Sequence, residues 1–75
     1  MNQLAIERED KALRLVRITS RFYIKRDYRP CNRELAQEFG CHTRTIQRDM
    51  IALSRVLPIV REQGRYHLLD TRREG

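Results

Sequence analysis

Residues 41–57, CHTRTIQRDMIALSRVL, decide the fold. On a helix that turns about 100° per residue, the apolar residues of this stretch fall in one narrow stripe and most basic residues on the opposite side. The stripe consists of Ile46, Met50, Leu53 and Leu57. The opposite side carries Arg44, Gln47, Arg48 and Arg55. The pattern predicts an amphipathic helix over about 43–56, with one face for a core and the other for a negatively charged partner.

A shorter helix is predicted immediately before this one, over NRELAQEFG at 32–40. Asn32 is a good capping residue, and Glu34 in the first turn complements the positive end of the helix dipole. Gly40 is a natural stop, since glycine readily takes the left-handed conformation that ends helices. Because so few residues separate the two helices, the pair is predicted to form a helix-turn-helix.

A first helix is predicted from Glu9 to Arg26, a stretch without proline or glycine. Its core face contains Leu15, Ile18 and Phe22. A second apolar stripe, displaced around the helix, contains Leu13, Val16, Tyr23 and Ile24. We expect this stripe to pack within the monomer, against the carboxy-terminal strands. Pairing with a second copy in a homodimer is the alternative.

After Pro58 the pattern changes from helix to strand, and IVREQGRYHLL at 59–69 predicts a hairpin that turns at Gln63-Gly64. Tyr66 and Leu68 are expected to face the helices, and Arg65 and His67 to face solvent. Three helices followed by a two-stranded hairpin are the order of a winged helix-turn-helix domain. The predicted fold class is therefore mainly α with a small β-hairpin (α+β), in a single domain over 1–75 with a core of about 11–69 and frayed tails at 1–8 and 70–75.

Charge indicates the class of partner. The 75 residues include 16 Lys and Arg against 10 Asp and Glu, which gives a net charge of +6. Such an excess on a small domain favours a polyanion, with nucleic acid ahead of a membrane surface. No apolar run approaches the roughly 20 residues of a membrane span, and acids near the amino terminus argue against a secretory signal. We expect a cytoplasmic protein with reduced cysteines and no membrane partner.

Metal binding and catalysis are the less favoured functions. Cys31, Cys41, His42 and His67 are the soft metal ligands, but their spacing contains no paired C-x-x-C or H-x-x-x-H unit. Two small, buried or half-buried thiols explain the cysteines better. No base and orienting group are recognisable around either thiol, so no enzyme, cofactor, metal or small-molecule ligand is expected.

The sequence resembles the amino-terminal DNA-binding domains of DeoR-like and WYL-domain bacterial regulators. The matching residues are RELAQEFG at 33–40 and CHTRTIQRDMIAL at 41–53, with T-x-x-R-D at 45–49 as the most specific part. The resemblance covers about 11–69. It implies a bacterial or phage transcription regulator that places the helix from Thr43 in the DNA major groove and the 59–69 hairpin near the phosphates. The sequence is either a small stand-alone regulator or part of a larger one.

A recognition helix reads DNA with its first turns, where Arg44, Gln47 and Arg48 lie on the outward side. Arginine matches the two acceptors of guanine, and glutamine the edge of adenine. Thr43 and Thr45 suit phosphate oxygens, and Arg55 the DNA backbone. Asp49 is expected to orient a nearby arginine or to cap a local hydrogen bond, rather than to contact DNA.

The 59–69 hairpin is the wing of the predicted fold. Further contacts with DNA phosphates are predicted for Asn32 and Arg33, and contacts from the wing for Arg61 and Arg65. Helix capping explains Asn32 equally well. The leading hypothesis is sequence-specific binding of double-stranded DNA without catalysis. The alternative is a winged helix that modulates another regulator or a polymerase through the second apolar stripe, and exposure of that stripe would favour it.

Overall fold

In the part of the chain that the structure describes, three helices are followed by a two-stranded antiparallel sheet. The computed structural model describes residues 10–69. The elements are α1 (Lys11–Ile24), α2 (Asn32–Phe39), α3 (Thr43–Ser54), β1 (Ile59–Glu62) and β2 (Arg65–Leu68). This is the winged helix-turn-helix arrangement, and the predicted fold class is confirmed. The tails predicted at 1–8 and 70–75 lie outside the described residues.

Helix α1 begins after Asp10, whose side chain accepts a hydrogen bond from the Ala12 N–H at 3.3 Å. It ends at Ile24, two residues before the predicted end, because Lys25 has an extended backbone (φ −105°, ψ 104°). Its core face contains the buried Ile18 and Phe22, with the predicted Leu15 packed half-buried beside them.

Helix α2 starts where predicted, but Asn32 is not its cap. Cys31 occupies the N-cap position, and its backbone N–H donates to the Glu34 carboxylate at 3.1 Å. Asn32 is the first helical residue, so its side chain is available for a tertiary contact. At the other end Gly40 takes φ 66° and ψ 42°, the left-handed conformation predicted for a helix stop.

Helix α3 begins at Thr43, with His42 at the N-cap position in an extended conformation. The His42 side chain makes no capping hydrogen bond, while its carbonyl accepts from the Thr45 N–H at 3.0 Å. The regular helix ends at Ser54, two residues earlier than predicted. The chain then tightens into a turn in which the Arg55 and Val56 N–H groups donate to the carbonyls three residues back, at 3.2 and 3.1 Å.

One hydrophobic core joins all five elements. Its buried apolar side chains are Ile18, Phe22, Leu35, Ala36, Ile46, Met50, Leu53, Ile59 and Tyr66. Every predicted core residue of α3 is buried or packs against this cluster, which confirms the amphipathic pattern of the opening stretch. The Phe22 and Tyr28 rings meet edge to face with centroids 5.0 Å apart.

The hairpin pairs Glu62 with Arg65 and turns through Gln63 and Gly64, as predicted. Both turn residues have positive φ, 52° and 78° respectively, which is the type I′ geometry that matches the twist of a hairpin. The Tyr66 N–H donates to the Pro30 carbonyl at 2.9 Å and attaches β2 to the segment that enters α2.

His67 does not face solvent as predicted. Its side chain is only 15% exposed, and its Nε2 lies 2.9 Å from Glu62 Oε1 across the hairpin. The alternation pattern does not reveal this contact with Glu62, which holds the His67 side chain against the hairpin. Both cysteines are half-buried, as expected.

Candidate nucleic-acid interface

The outward face of α3 is basic and open to solvent. Arg44, Gln47, Arg48 and Arg55 are all exposed, opposite the stripe that α3 contributes to the core. Thr43 is exposed at the first turn and Thr45 is half-buried. The structure therefore presents the predicted recognition residues together on one surface, with the two threonines at its amino-terminal end.

The carboxylates of the described chain are mostly engaged elsewhere. Asp10 caps α1, Glu34 binds Arg65, Glu38 binds Arg21 and Tyr28, Asp49 binds Arg14, and Glu62 binds His67. Within residues 10–69, no carboxylate makes an ion pair with the arginines on the outward face of α3. Their positive charge is consequently left uncompensated by the carboxylates of this part of the chain.

Asp49 is the one acid of α3, and it points into the protein. Its side chain is 1% exposed and accepts hydrogen bonds from Arg14 Nε at 2.6 Å and Nη2 at 3.2 Å. The expectation that Asp49 orients a nearby arginine is confirmed, and the partner lies on α1. Because a carboxylate exposed beside Arg48 would repel phosphate, this burial keeps the basic face free of negative charge.

The two wing arginines have different surroundings. Arg61 is exposed, and its guanidinium lies over the Tyr66 ring at 5.7 Å from the centroid. Arg65 Nη1 instead donates to the Arg29 carbonyl at 2.7 Å and to Glu34 Oε1 at 3.0 Å. Arg65 therefore attaches the wing to the start of α2, and Arg61 is the better placed of the two for a phosphate.

The start of α2 is occupied by the protein's own groups. Asn32 Oδ1 accepts a hydrogen bond from the Tyr66 hydroxyl at 2.7 Å, and burial raises the pKa of Tyr66 above its ordinary value of 10.0, so the phenol stays protonated as a donor. The Glu34 carboxylate holds the Cys31 N–H, with its pKa lowered first by the hydrogen bond from Arg65 and then by that N–H. Asn32 thus has a structural contact within the protein, while Arg33 is exposed, and the phosphate contacts of both residues stay predictions.

A groove runs between α3 and the wing. Its lining residues are Gln47, Met50, Ile51, Ser54, Ile59, Val60, Arg61 and Tyr66. Ile51 is exposed over 56% of its surface and was not among the predicted site residues. It follows Gln47 by four positions, so helical periodicity alone places it beside that residue on the outward side.

The second stripe of α1 does not pack against the other residues of 10–69, the carboxy-terminal strands included, which corrects our expectation. Leu13, Val16, Tyr23 and Ile24 are exposed over 50, 60, 52 and 76% of their surfaces. The wing packs on the other side of α1, where Ile18 and Phe22 join the core. One short hairpin covers one face of a helix, so an apolar surface is left uncovered by the described residues.

Among residues 10–69, no three His, Cys, Asp or Glu side chains are grouped in a way that would hold a metal ion. The same part of the chain contains no helix with the length and apolar character needed to span a membrane.

Comparison with known proteins finds no matching family model, curated protein or solved structure. The fold and the charge distribution are therefore the basis for a functional conclusion.

Proposed function

We propose that this protein is a sequence-specific, double-stranded DNA-binding transcription regulator of bacterial or phage type, acting in the cytoplasm without catalysis. Helix α3 enters the major groove, where Arg44, Gln47 and Arg48 meet base edges. Thr43, Thr45 and Arg55 contact the backbone, and Arg61 reaches a phosphate from the wing. The resemblance of 33–53 to DeoR-like and WYL-domain regulators agrees with this proposal.

The observation that supports the proposal most directly is the uncompensated charge of the outward face of α3. Surface arginines of a small domain are commonly near carboxylates, and five of the six acids in the described chain do contact other protein groups. None of these contacts involves Arg44, Arg48 or Arg55, which lie together on the outward face of α3. Phosphate would supply their missing counter-charge and release the counterions condensed on DNA.

The test is a titration of random-sequence duplex DNA at two salt concentrations. The wild type is compared with an Arg44→Ala, Arg48→Ala double variant. Each phosphate contact contributes about −0.9 to the slope of log affinity against log salt. We expect weaker binding for the variant, and a shallower slope where either arginine holds a phosphate.

A matched control distinguishes the loss of positive charge on α3 from the loss of positive charge anywhere on the protein. The Lys11→Ala, Arg26→Ala double variant removes the same charge from exposed positions on α1 and the turn after it. It should keep most of the wild-type affinity. Circular dichroism checks that both double variants are folded. If both then lose affinity for DNA equally, a specific role for α3 is rejected. Absence of binding by the wild type would reject the proposal itself.

A second candidate function is a protein-interaction module, and the exposed stripe of α1 favours it. Four exposed apolar side chains lie along one side of α1, and exposed apolar surface of this kind can mark protein contacts. A homodimer would use this patch and leave α3 available for DNA. Another regulator or a polymerase bound there would make the protein a modulator. Sedimentation of the isolated protein distinguishes self-association from the need for a foreign partner.

A further inference from the structure

A branched apolar side chain interrupts the basic face of α3. Ile51 follows Gln47 by one turn, precedes Arg55 by one turn, and is 56% exposed. The core stripe of the helix, which includes the buried Ile46 and Met50, is complete without it. The requirements of folding therefore do not explain an isoleucine at this position.

Ile51 continues an apolar surface into the groove between α3 and the wing. Buried Met50, Ile59 and Tyr66 line this groove, and half-buried Val60 stands on its wing side. Gln47 and Arg61 lie at the polar parts of the same lining. A ligand seated against this surface would meet one apolar strip between hydrogen-bonding groups.

The major groove of DNA offers a single apolar group to such a strip, the C5-methyl group of thymine. We infer that Ile51 contacts a thymine methyl and that Gln47 reads an adenine nearby, so that α3 selects A·T base pairs at this part of its site. The inference rests on the proposed function. It adds a base preference that the arginines alone would not supply, since arginine favours guanine.

The spacing of the two side chains suits this assignment. Residues four positions apart are separated by about 6 Å along a helix axis. Successive base pairs are about 3.4 Å apart. Gln47 and Ile51 would therefore reach the same base pair or pairs one to two steps apart, and the terminal amide of Gln47 matches N6 and N7 of adenine.

The experiment begins with selection of bound sequences from a library of random duplexes by the wild-type protein. In the enriched duplex, each thymine is then replaced in turn by 2′-deoxyuridine, which removes the methyl and leaves base pairing intact. Dissociation constants are measured for the wild type, Ile51→Ala and Val56→Ala. Val56 is a matched control because it is exposed and β-branched, and it lies past the end of α3 on the side away from Ile51.

For the wild type, we expect about fourfold weaker binding when uracil replaces the contacted thymine, the effect of one buried methyl. Ile51→Ala should bind the thymine duplex more weakly and lose the response to uracil at that position. Val56→Ala should respond as the wild type does. The inference alone would be overturned if no thymine of the enriched duplex could be found whose replacement weakens binding by the wild type. It would also be overturned if the replacement weakened binding by Ile51→Ala and by the wild type equally. Failure to enrich any sequence would overturn the proposed function and this inference with it.

Discussion

Arg14 of α1 and Asp49 of α3 form a two-point ion pair inside the protein, with Nε–Oδ2 and Nη2–Oδ1 distances of 2.6 and 3.2 Å. The side chains are 13% and 1% exposed. The pair joins α1 to α3, so it helps to fix the position of α3 relative to α1. It also removes the only acid of α3 from the surface.

Loss of either partner should destabilise the fold. Arg14→Met leaves a buried carboxylate unpaired and should cost about 3–5 kcal/mol of unfolding free energy. Asp49→Leu should cost less, because the long arginine side chain can move its charge toward solvent. The double variant should recover much of the loss, since a well-packed apolar pair often replaces a buried ion pair at little cost. Urea unfolding of the four proteins measures the coupling, and additive losses would contradict the prediction.

The turn of the wing should tolerate a stabilising substitution. Gln63 has φ 52°, a conformation that costs a residue with a long side chain roughly 1 kcal/mol. Asparagine adopts this conformation more readily, and Asn-Gly is the preferred type I′ pair. We expect Gln63→Asn to raise the unfolding free energy by about 0.5 kcal/mol in urea denaturation. A lower urea midpoint would show that the glutamine side chain has a stabilising contact of its own.

The prediction of the fold from sequence succeeded where local signals agree. Pro30, Gly40 and Pro58 divide the chain, and each acts on its own neighbours through backbone geometry. The apolar repeat of α3 likewise needs no information from elsewhere in the chain. For these reasons the order of elements and the core face of α3 could be predicted.

Contacts between distant segments could not be predicted in the same way. Asp49 meets Arg14 across 35 positions, and Asn32 meets Tyr66 across 34. Neither pair has a sequence pattern, because the distance between the partners depends on the assembled fold. The same reason explains the error on the second stripe of α1, since its exposure depends on which face the wing covers.

Acid should weaken the attachment of the wing to α2. The hydrogen bond from Arg65, and then the Cys31 N–H, lower the pKa of Glu34 below its ordinary value of 4.5. A carboxyl whose pKa is lower in the folded state than in the unfolded state stabilises the fold at any pH above its unfolded pKa. This stabilisation is lost as the pH falls through the lowered pKa of the folded state. The unfolding midpoint of the wild type in urea should therefore decrease between pH 5 and about pH 3.

Glu34→Gln should show less of this decrease, because it has no carboxylate to protonate at this position. Glu62→Gln is the control for removal of one negative charge, and it should keep the acid response that Glu34 provides. If Glu34→Gln and the wild type lose stability equally on acidification, another carboxyl causes the loss.

The exposed stripe of α1 should allow two copies to bind DNA cooperatively. A single helix of 14 residues is about 21 Å long. Contact along one such helix offers less than the roughly 800 Å² per partner of a stable interface, so pairing in solution should be weak. Two sites on one duplex would raise the effective concentration of the copies. A duplex with two inverted sites, about 10.5 base pairs between centres, should therefore bind the wild type cooperatively.

Val16→Gln with Ile24→Gln removes apolar surface without changing the charge. Since both side chains are exposed, stability should change by no more than about 0.5 kcal/mol per site. Affinity for a duplex with one site should stay at the wild-type value, while cooperativity on two sites should disappear. Val56→Gln, which changes an exposed valine outside the stripe, should keep the cooperativity. Persistent cooperativity in the double variant would place the contact between copies elsewhere. Its absence in the wild type would favour a foreign protein as the partner of α1.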